Sequence, residues 1–251
     1  AYTEWGESCL HHLNGMFAFA IYDCGDQNTP SSLFFARDRA GKKPLYIARR
    51  GGDLAFASEL KGIPNDMRGK LSLNALNFYL ALGYVPDALC IADGVTKLPP
   101  AHAARFVIDS GEYRQWRWWS LPELEVPNSA NVDALLDEAE ALMHDAVRLR
   151  LRSDVPVGVL LSGGLDSSLV VASAAHASAK VKTFTIGFPG SHLDETSYAS
   201  IVARHFDTEH HVLALPAPSL SVLDELAPLI DEPLADSSLI PSYLVSKLTV
   251  S

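Results

Sequence analysis

Residues 155–168 read Val-Pro-Val-Gly-Val-Leu-Leu-Ser-Gly-Gly-Leu-Asp-Ser-Ser, an order that few folds accommodate. The apolar run 157–161 stops at Ser162-Gly163-Gly164, and a helical apolar pattern resumes at Leu169-Val170-Val171-Ala172. This predicts a buried strand, a tight turn and a helix. Such a turn has what a phosphate chain needs. Gly163 and Gly164 let the backbone approach, Ser162, Ser167 and Ser168 bring hydroxyls, and a helix N-terminus offers free N–H groups. Asp166 fits only if a cation separates it from the phosphates, which makes it a candidate Mg²⁺ ligand.

The stretch has neither the Gly-x-x-x-x-Gly-Lys of a P-loop nor the Gly-x-Gly-x-x-Gly of a dinucleotide fold. Ser-Gly-Gly-Leu-Asp-Ser-Ser instead resembles the pyrophosphate-binding loop of the ATP pyrophosphatase superfamily, whose members split ATP into AMP and pyrophosphate to activate a substrate. A plain Gly-Ser turn explains the glycines, but not three hydroxyls and an acid at one strand-to-helix junction.

At 251 residues with 48% hydrophobic content, the chain has core material for one large domain or two ordinary ones. A net charge of −10 with scattered Lys and Arg argues against a nucleic-acid surface and for small-molecule partners. Cys9, Cys24 and Cys90 lack metal-type spacing and are odd in number, as expected in a reducing compartment, where they read as small buried hydrophobes. No apolar run approaches the ~18 residues of a membrane span. Without a signal-peptide pattern either, the expected location is cytoplasmic, with no membrane partner. Both ends fall within helix-like patterns, so an internal piece of a longer protein is expected.

Along the chain, residues 2–13 suggest a short amphipathic helix with Trp5 and Cys9 on one side, closed by the turn Asn14-Gly15. Residues 16–22, 33–36, 45–48 and 54–57 read as short strands of an antiparallel sheet. The loop Arg37-Asp38-Arg39-Ala40-Gly41-Lys42-Lys43-Pro44 reads as a solvated connection. A helix over 72–82 capped by Ser72, a strand over 102–108 and a Trp116, Trp118, Trp119 cluster follow; the tryptophans suit packing better than a stacking platform. Residues 122–131 read as a linker. Then come a helix over 132–151 and strict alternation: strand 157–161, helix 168–177, strand 181–188, helix 195–206, strand 211–215, helix 219–230. Alternation of this kind builds a parallel sheet covered on both faces, whose ligands gather at the carboxyl ends of the strands.

Around that edge, the backbone of Ile186 could pair with an adenine edge where Gly187 leaves room, or the segment could be plain strand. Asp194-Glu195 reads as a helix cap first and as a substrate or metal contact second, and His210-His211 as packing or hydrogen bonding rather than a metal pair. The loop from Asp231-Glu232-Pro233 to Asp236-Ser237-Ser238 leaves two options open, a substrate amino-group contact or a cap for a helix near Leu239.

Taken together, Asn14-Gly15-Met16-Phe17-Ala18-Phe19-Ala20, Ala36-Arg37-Asp38-Arg39, Phe56-Ala57-Ser58-Glu59-Leu60-Lys61, Lys97-Leu98-Pro99-Pro100, the Ser162–Ser168 loop and Thr183 to Gly190 resemble the glutamine-dependent asparagine synthetases of the bacterial B type. The resemblance implies an α/β chain: the remnant of an N-terminal-nucleophile antiparallel sheet domain over 1–121, a linker at 122–131, and a parallel-sheet ATP-pyrophosphatase domain over 132–251. It implies ATP, aspartate and glutamine as small-molecule substrates, Mg²⁺ on Asp166, and a homodimer. Leu161, Ser162, Gly163, Gly164, Asp166, Ser167, Ser168, Ile186 and Gly187 are then the nucleotide-binding set.

The departures from that family shape a further expectation. Its glutaminase nucleophile is an N-terminal cysteine using its free α-amino group as base, whereas this sequence starts at Ala1 and the amine of Cys9 lies in a peptide bond. The second phosphate-loop segment and the acid and lysine of the reacting centre have no counterpart either, so no catalytic residue is assigned and the piece by itself is expected to be inactive. Alternatives are a relative adenylating another acid, as β-lactam synthetases do, and a non-catalytic nucleotide-binding remnant.

Overall fold

The computed structural model describes all residues except 28, 124–130, 179, 192–193, 215–220 and 251. These residues form two compact units. Ala1–Glu123 with Leu229–Asp236 make the first, and the rest of the described chain makes the second.

In the first unit, β1 (Ala18–Asp23), β2 (Ser32–Arg37), β6 (His102–Val107) and β7 (Tyr113–Arg117) form one antiparallel sheet in the order β1-β2-β6-β7. A second antiparallel sheet, in the order β4-β3-β5, comprises β3 (Tyr46–Arg50), β4 (Asp53–Ala57) and β5 (Val95–Lys97). The antiparallel strands are as expected, but they divide between two sheets. Successive strand residues point to opposite faces, so β2 feeds two cores. Phe34 and Ala36 pack with Cys9, Leu10, Ala103 and Trp118, while Phe35 packs with Ala104 and Phe106 of the neighbouring strand and with Leu45, Ile47 and Leu98 from beside and on the second sheet.

The helix expected over 2–13 is interrupted. Gly6 at φ 55° ends α1 (Tyr2–Trp5), and a 3₁₀ helix (Gly6–His12) follows. Cys9 and Leu10 are buried by that change, whereas Trp5 is exposed and stacks on His12 at 4.0 Å. Further along, α2 (Leu73–Leu82) ends at Gly83, whose left-handed φ of 80° a residue without Cβ adopts freely.

The charged loop after β2 is not a solvated connection. Arg37 is 4% and Asp38 2% exposed. The Asp38 carboxylate accepts the backbone N–H groups of Phe17, Ala40, Lys42 and Lys43, and Arg37 donates to the carbonyls of Gly41, Lys43 and Leu98 and to Asp87. Backbone groups on three sides satisfy both charges, which is the condition for burying them. The Trp118 indole N–H donates to the Arg37 carbonyl at 3.1 Å, and Arg39 lies over the rings of Trp118 and Trp119, so these two tryptophans serve packing.

In the second unit, β8 (Gly158–Leu160), β9 (Lys182–Gly187) and β10 (Glu209–Ala214) form a parallel sheet in the order β10-β9-β8. Helices α4 (Leu165–Ala177), α5 (Thr196–His205) and α6 (Ser221–Leu226) follow the strands in turn, with α3 (Val132–Arg150) before them and α7 (Leu239–Val250) after. Asn131 caps α3 by accepting the Asp133 N–H. Leu161, Val171, Ala199 and Ala203 form the core under the sheet. The linker 122–131 falls largely outside the described residues, as do the end of the expected strand 211–215 and the start of the helix over 219–230.

Two expectations fail here. The strand before the loop is not buried on both faces: β8 is an edge, and Leu160 is 53% exposed. Two of the acids after α6 do not stand free for a substrate amino group. Asp231 accepts the N–H of Leu60 at 2.9 Å, and Glu232 accepts the N–H of Ile91 at 2.8 Å and the ammonium of Lys97 at 2.6 Å, so both are spent inside the first unit.

Candidate functional site

The Ser162–Ser168 loop lies where the parallel sheet ends. The Leu161 N–H donates to the Phe184 carbonyl at 2.9 Å, extending the β8–β9 ladder by one residue before the chain turns. Gly163 makes that turn at φ 84°. A Cβ there would also meet the Ala199 nitrogen at 2.5 Å, so glycine is required on two counts. The helix starts at Leu165, three residues earlier than expected, with Gly164 as its N-cap. Asp166, Ser167 and Ser168 therefore occupy its first turn.

The hydroxyls brace the loop. Ser162 Oγ and Ser167 Oγ are 3.0 Å apart, Ser162 Oγ accepts the Gly164 N–H, and both Ser167 and Ser168 donate to the Gly164 carbonyl. Asp166 differs: it is exposed and has no hydrogen bond or ion pair among the described residues.

An open cleft of about 470 Å³ adjoins the loop, lined among others by Leu161, Ser162, Ser167, Ile186, Pro241 and Val245. Four of the nine residues expected to hold a nucleotide thus share one cavity wall, whereas Gly163, Gly164, Asp166, Ser168 and Gly187 do not line it. The side chain of Leu161 is buried in the core, which leaves its backbone to face the cleft. Ile186 lies two residues past the last β8 pairing, Leu160 with Phe184. At Gly187 a Cβ would be 2.4 Å from Thr196 Cγ2, so the space there is filled by Thr196.

Sequence reasoning missed the wall formed by α7. Pro241, Ser242 and Val245 line the cleft because α7 packs against β9. A Pro in the first turn of a predicted helix was the available signal. Thr185 was missed as well; its hydroxyl donates to the Leu161 carbonyl and ties the loop's base to β9.

Three neighbouring polar side chains are engaged in local structure, whereas Glu195 lines the cleft. Asp194 accepts the Thr196 N–H at the start of α5, and that bond holds its carboxyl below the usual range. His210 Nδ1 lies 2.9 Å from the Thr183 hydroxyl, and burial lowers its pKa. His211 stacks on Phe184 and pairs with Glu209. Among the described residues, no three His, Cys, Asp or Glu side chains cluster as a metal cage. Mg²⁺ commonly needs just one or two carboxylates beside substrate phosphates and water. The unengaged carboxylate of Asp166, on the first turn of the helix that follows the loop, suits that mode.

A glutamine amidotransferase domain model matches residues 1–119 and an asparagine synthase model matches residues 138–251. Putative asparagine synthetase (glutamine-hydrolyzing) 2 of Methanocaldococcus jannaschii is 37% identical over 254 residues, covering 98% of this chain and 48% of that protein. A putative asparagine synthetase (glutamine-hydrolyzing) of Mycobacterium tuberculosis is 34% identical over 253 residues, covering 98% and 38%. Asparagine synthetase (glutamine-hydrolyzing) 1 of Bacillus subtilis is 32% identical over 250 residues, again covering 98% and 38%. The chain spans less than half the length of these curated relatives.

Proposed function

The chain belongs to the family of glutamine-hydrolysing asparagine synthetases, and on that premise we propose that it is part of an ATP-dependent amide ligase converting aspartate to asparagine. In this reading residues 1–121 come from the glutaminase domain and residues 132–251 from the synthetase domain. One β-carboxylate oxygen of aspartate attacks the α-phosphorus of ATP, pyrophosphate leaves, and β-aspartyl-AMP forms. Ammonia released from glutamine then attacks the acyl carbon, and AMP leaves with the bonding electrons. A carboxylate is a poor electrophile until its oxygen becomes part of a good leaving group, which is what ATP provides.

The chain's own residues bind and orient. The backbone N–H groups at the start of α4, with the hydroxyls of Ser162 and Ser167, receive the departing pyrophosphate, while Leu161 and Ile186 frame the base and ribose. Asp166 would hold a Mg²⁺ ion, which would supply charge neutralisation on the phosphates. The observation that carries the reading is that Ser162, Ser167 and Ile186, from two different strand ends, line one cleft at the carboxyl edge of a parallel sheet.

Calorimetric titration of the chain with Mg²⁺–ATP tests it. Asp166→Ala is expected to weaken binding by about tenfold or more, with the melting temperature unchanged because Asp166 is exposed and unbonded. A folded chain that ignores Mg²⁺–ATP, or an Asp166→Ala variant that binds as the wild type does, would sink the assignment.

A further inference from the structure

Among the described residues, the wall of the cleft beside the serine loop carries one charged side chain, Glu195, set with Ser162, Ser167, Ile186 and Phe188. Glu195 is the N-cap residue of α5, yet its side chain makes no capping bond; the neighbouring Asp194 accepts the Thr196 N–H instead. Glu195 is exposed, and its carboxylate has no hydrogen bond or ion pair among the described residues. Its two oxygens are therefore free to face a ligand. The place of this side chain is set from two directions. A Cβ on Gly187 would strike Thr196, and one on Gly163 would strike the Ala199 nitrogen. The first turn of α5 is thereby seated against the end of β9 and against the turn after β8 at once, and Glu195 stands one residue ahead of it.

A carboxylate at that position constrains what lies opposite. It repels phosphate oxygens and gains from hydrogen-bond donors. With the phosphates at the Ser162–Ser168 loop after β8, the uncharged nucleoside is the part of the ligand that reaches across to the end of β9, where Ile186 and Glu195 share the cleft. Ribose presents two adjacent hydroxyl donors, and a carboxylate has two oxygens to accept them. Dinucleotide folds use the same arrangement, with an acid after the second strand accepting from the ribose while the phosphates sit at the turn after the first.

We propose that Glu195 is the residue that selects the sugar: its carboxylate accepts the 2′- and 3′-hydroxyls of the ribose, so that the cleft prefers ATP to its deoxy counterparts. This rests on the nucleotide reading above and adds the part of the nucleotide that Glu195 holds.

The test is calorimetric titration of the full 251-residue chain, as wild type, Glu195→Ala and Glu195→Gln, with the Mg²⁺ complexes of ATP, 2′-deoxy-ATP and 3′-deoxy-ATP. The wild type should bind ATP about tenfold or more tightly than either deoxy nucleotide, the usual worth of a hydrogen bond to a charged group. Glu195→Ala should lose ATP affinity by about tenfold or more and bind all three nucleotides alike, because the two hydroxyls have lost their common acceptor. Glu195→Gln, which keeps the shape of the side chain and one acceptor oxygen, should fall between. The melting temperature should not move in either variant, since the side chain is exposed and unbonded. A wild type that binds ATP and the deoxy nucleotides equally overturns the proposal and leaves the nucleotide reading standing. So does an alanine variant that keeps the preference for ATP, whether its affinities are unchanged or all weakened by one factor; the carboxylate would then serve the adenine amino group or a cation. A wild type that binds none of the three overturns the nucleotide reading and this proposal together.

Discussion

Gly163 and Ala199 meet so closely that a Cβ on the glycine would lie 2.5 Å from the Ala199 nitrogen. The contact seats the start of α5 against the serine loop, so loop shape and helix position are one feature. Gly163→Ala adds both a clash and a left-handed φ that alanine resists, at about 1–3 kcal/mol. A lowered melting temperature with weakened Mg²⁺–ATP binding is the expected outcome. An alanine variant as stable as the wild type would show that α5 can retreat at no cost.

At Gly187 the obstacle is one methyl group. A Cβ there would be 2.4 Å from Thr196 Cγ2. Gly187→Ala should therefore destabilise the second unit by about 1–3 kcal/mol, and Thr196→Ser in the same chain should recover most of that loss. Thermal melts of the two singles and the double check it, since additive losses would disprove the steric cause.

Burial would push the Asp38 carboxyl up, but the N–H groups of Lys42, Lys43, Phe17 and Ala40 outweigh it and hold the pKa below the usual value. A depressed native pKa stabilises the fold above the unfolded value of about 3.9 and loses that contribution as pH falls through the native value. Asp38→Asn should cost about 3 kcal/mol near neutral pH and flatten the acid side of the stability profile. Urea unfolding at a series of pH values gives both quantities. A parallel downward shift of the whole profile, with the acid slope intact, would refute the assignment.

Of the three cysteines, Cys24 is exposed while Cys9 and Cys90 are buried. Burial raises both buried thiols, Cys90 to about 11. The reactive species is the thiolate. Titration of the native chain with a disulfide reagent near neutral pH should therefore modify one thiol quickly, with the other two following only in denaturant. Rapid modification of all three would contradict the packing around Cys9 and Cys90.

Much of the second unit was legible in the sequence because local pattern decides it. The strand, the glycine turn and the helix of 155–168 announce themselves within fourteen residues, and the alternation after them leaves a parallel sheet as the simplest outcome. What was hidden depends on distant partners. β5 is three residues long and ends in Lys97, which reads as solvent-facing until Glu232 supplies its counter-charge. Arg37 and Asp38 look like surface charges because the groups that satisfy them are mostly backbone carbonyls and amides, which carry no letter in a sequence. Leu160 looks like core material because apolar residues surround it, yet it lies on an edge strand and its exposure follows from topology. At the site, the loop was readable, and the α7 wall, brought in from some eighty residues downstream, was not.

The return of residues 229–236 to the first unit limits how the molecule can be dissected. No single cut gives two self-sufficient halves. A piece starting at α3 would leave Asp231 and Glu232 without their partners, and one stopping at Glu123 would leave the buried Lys97 ammonium without its counter-charge. Chimaeras that exchange halves with a related enzyme should therefore transplant both stretches together.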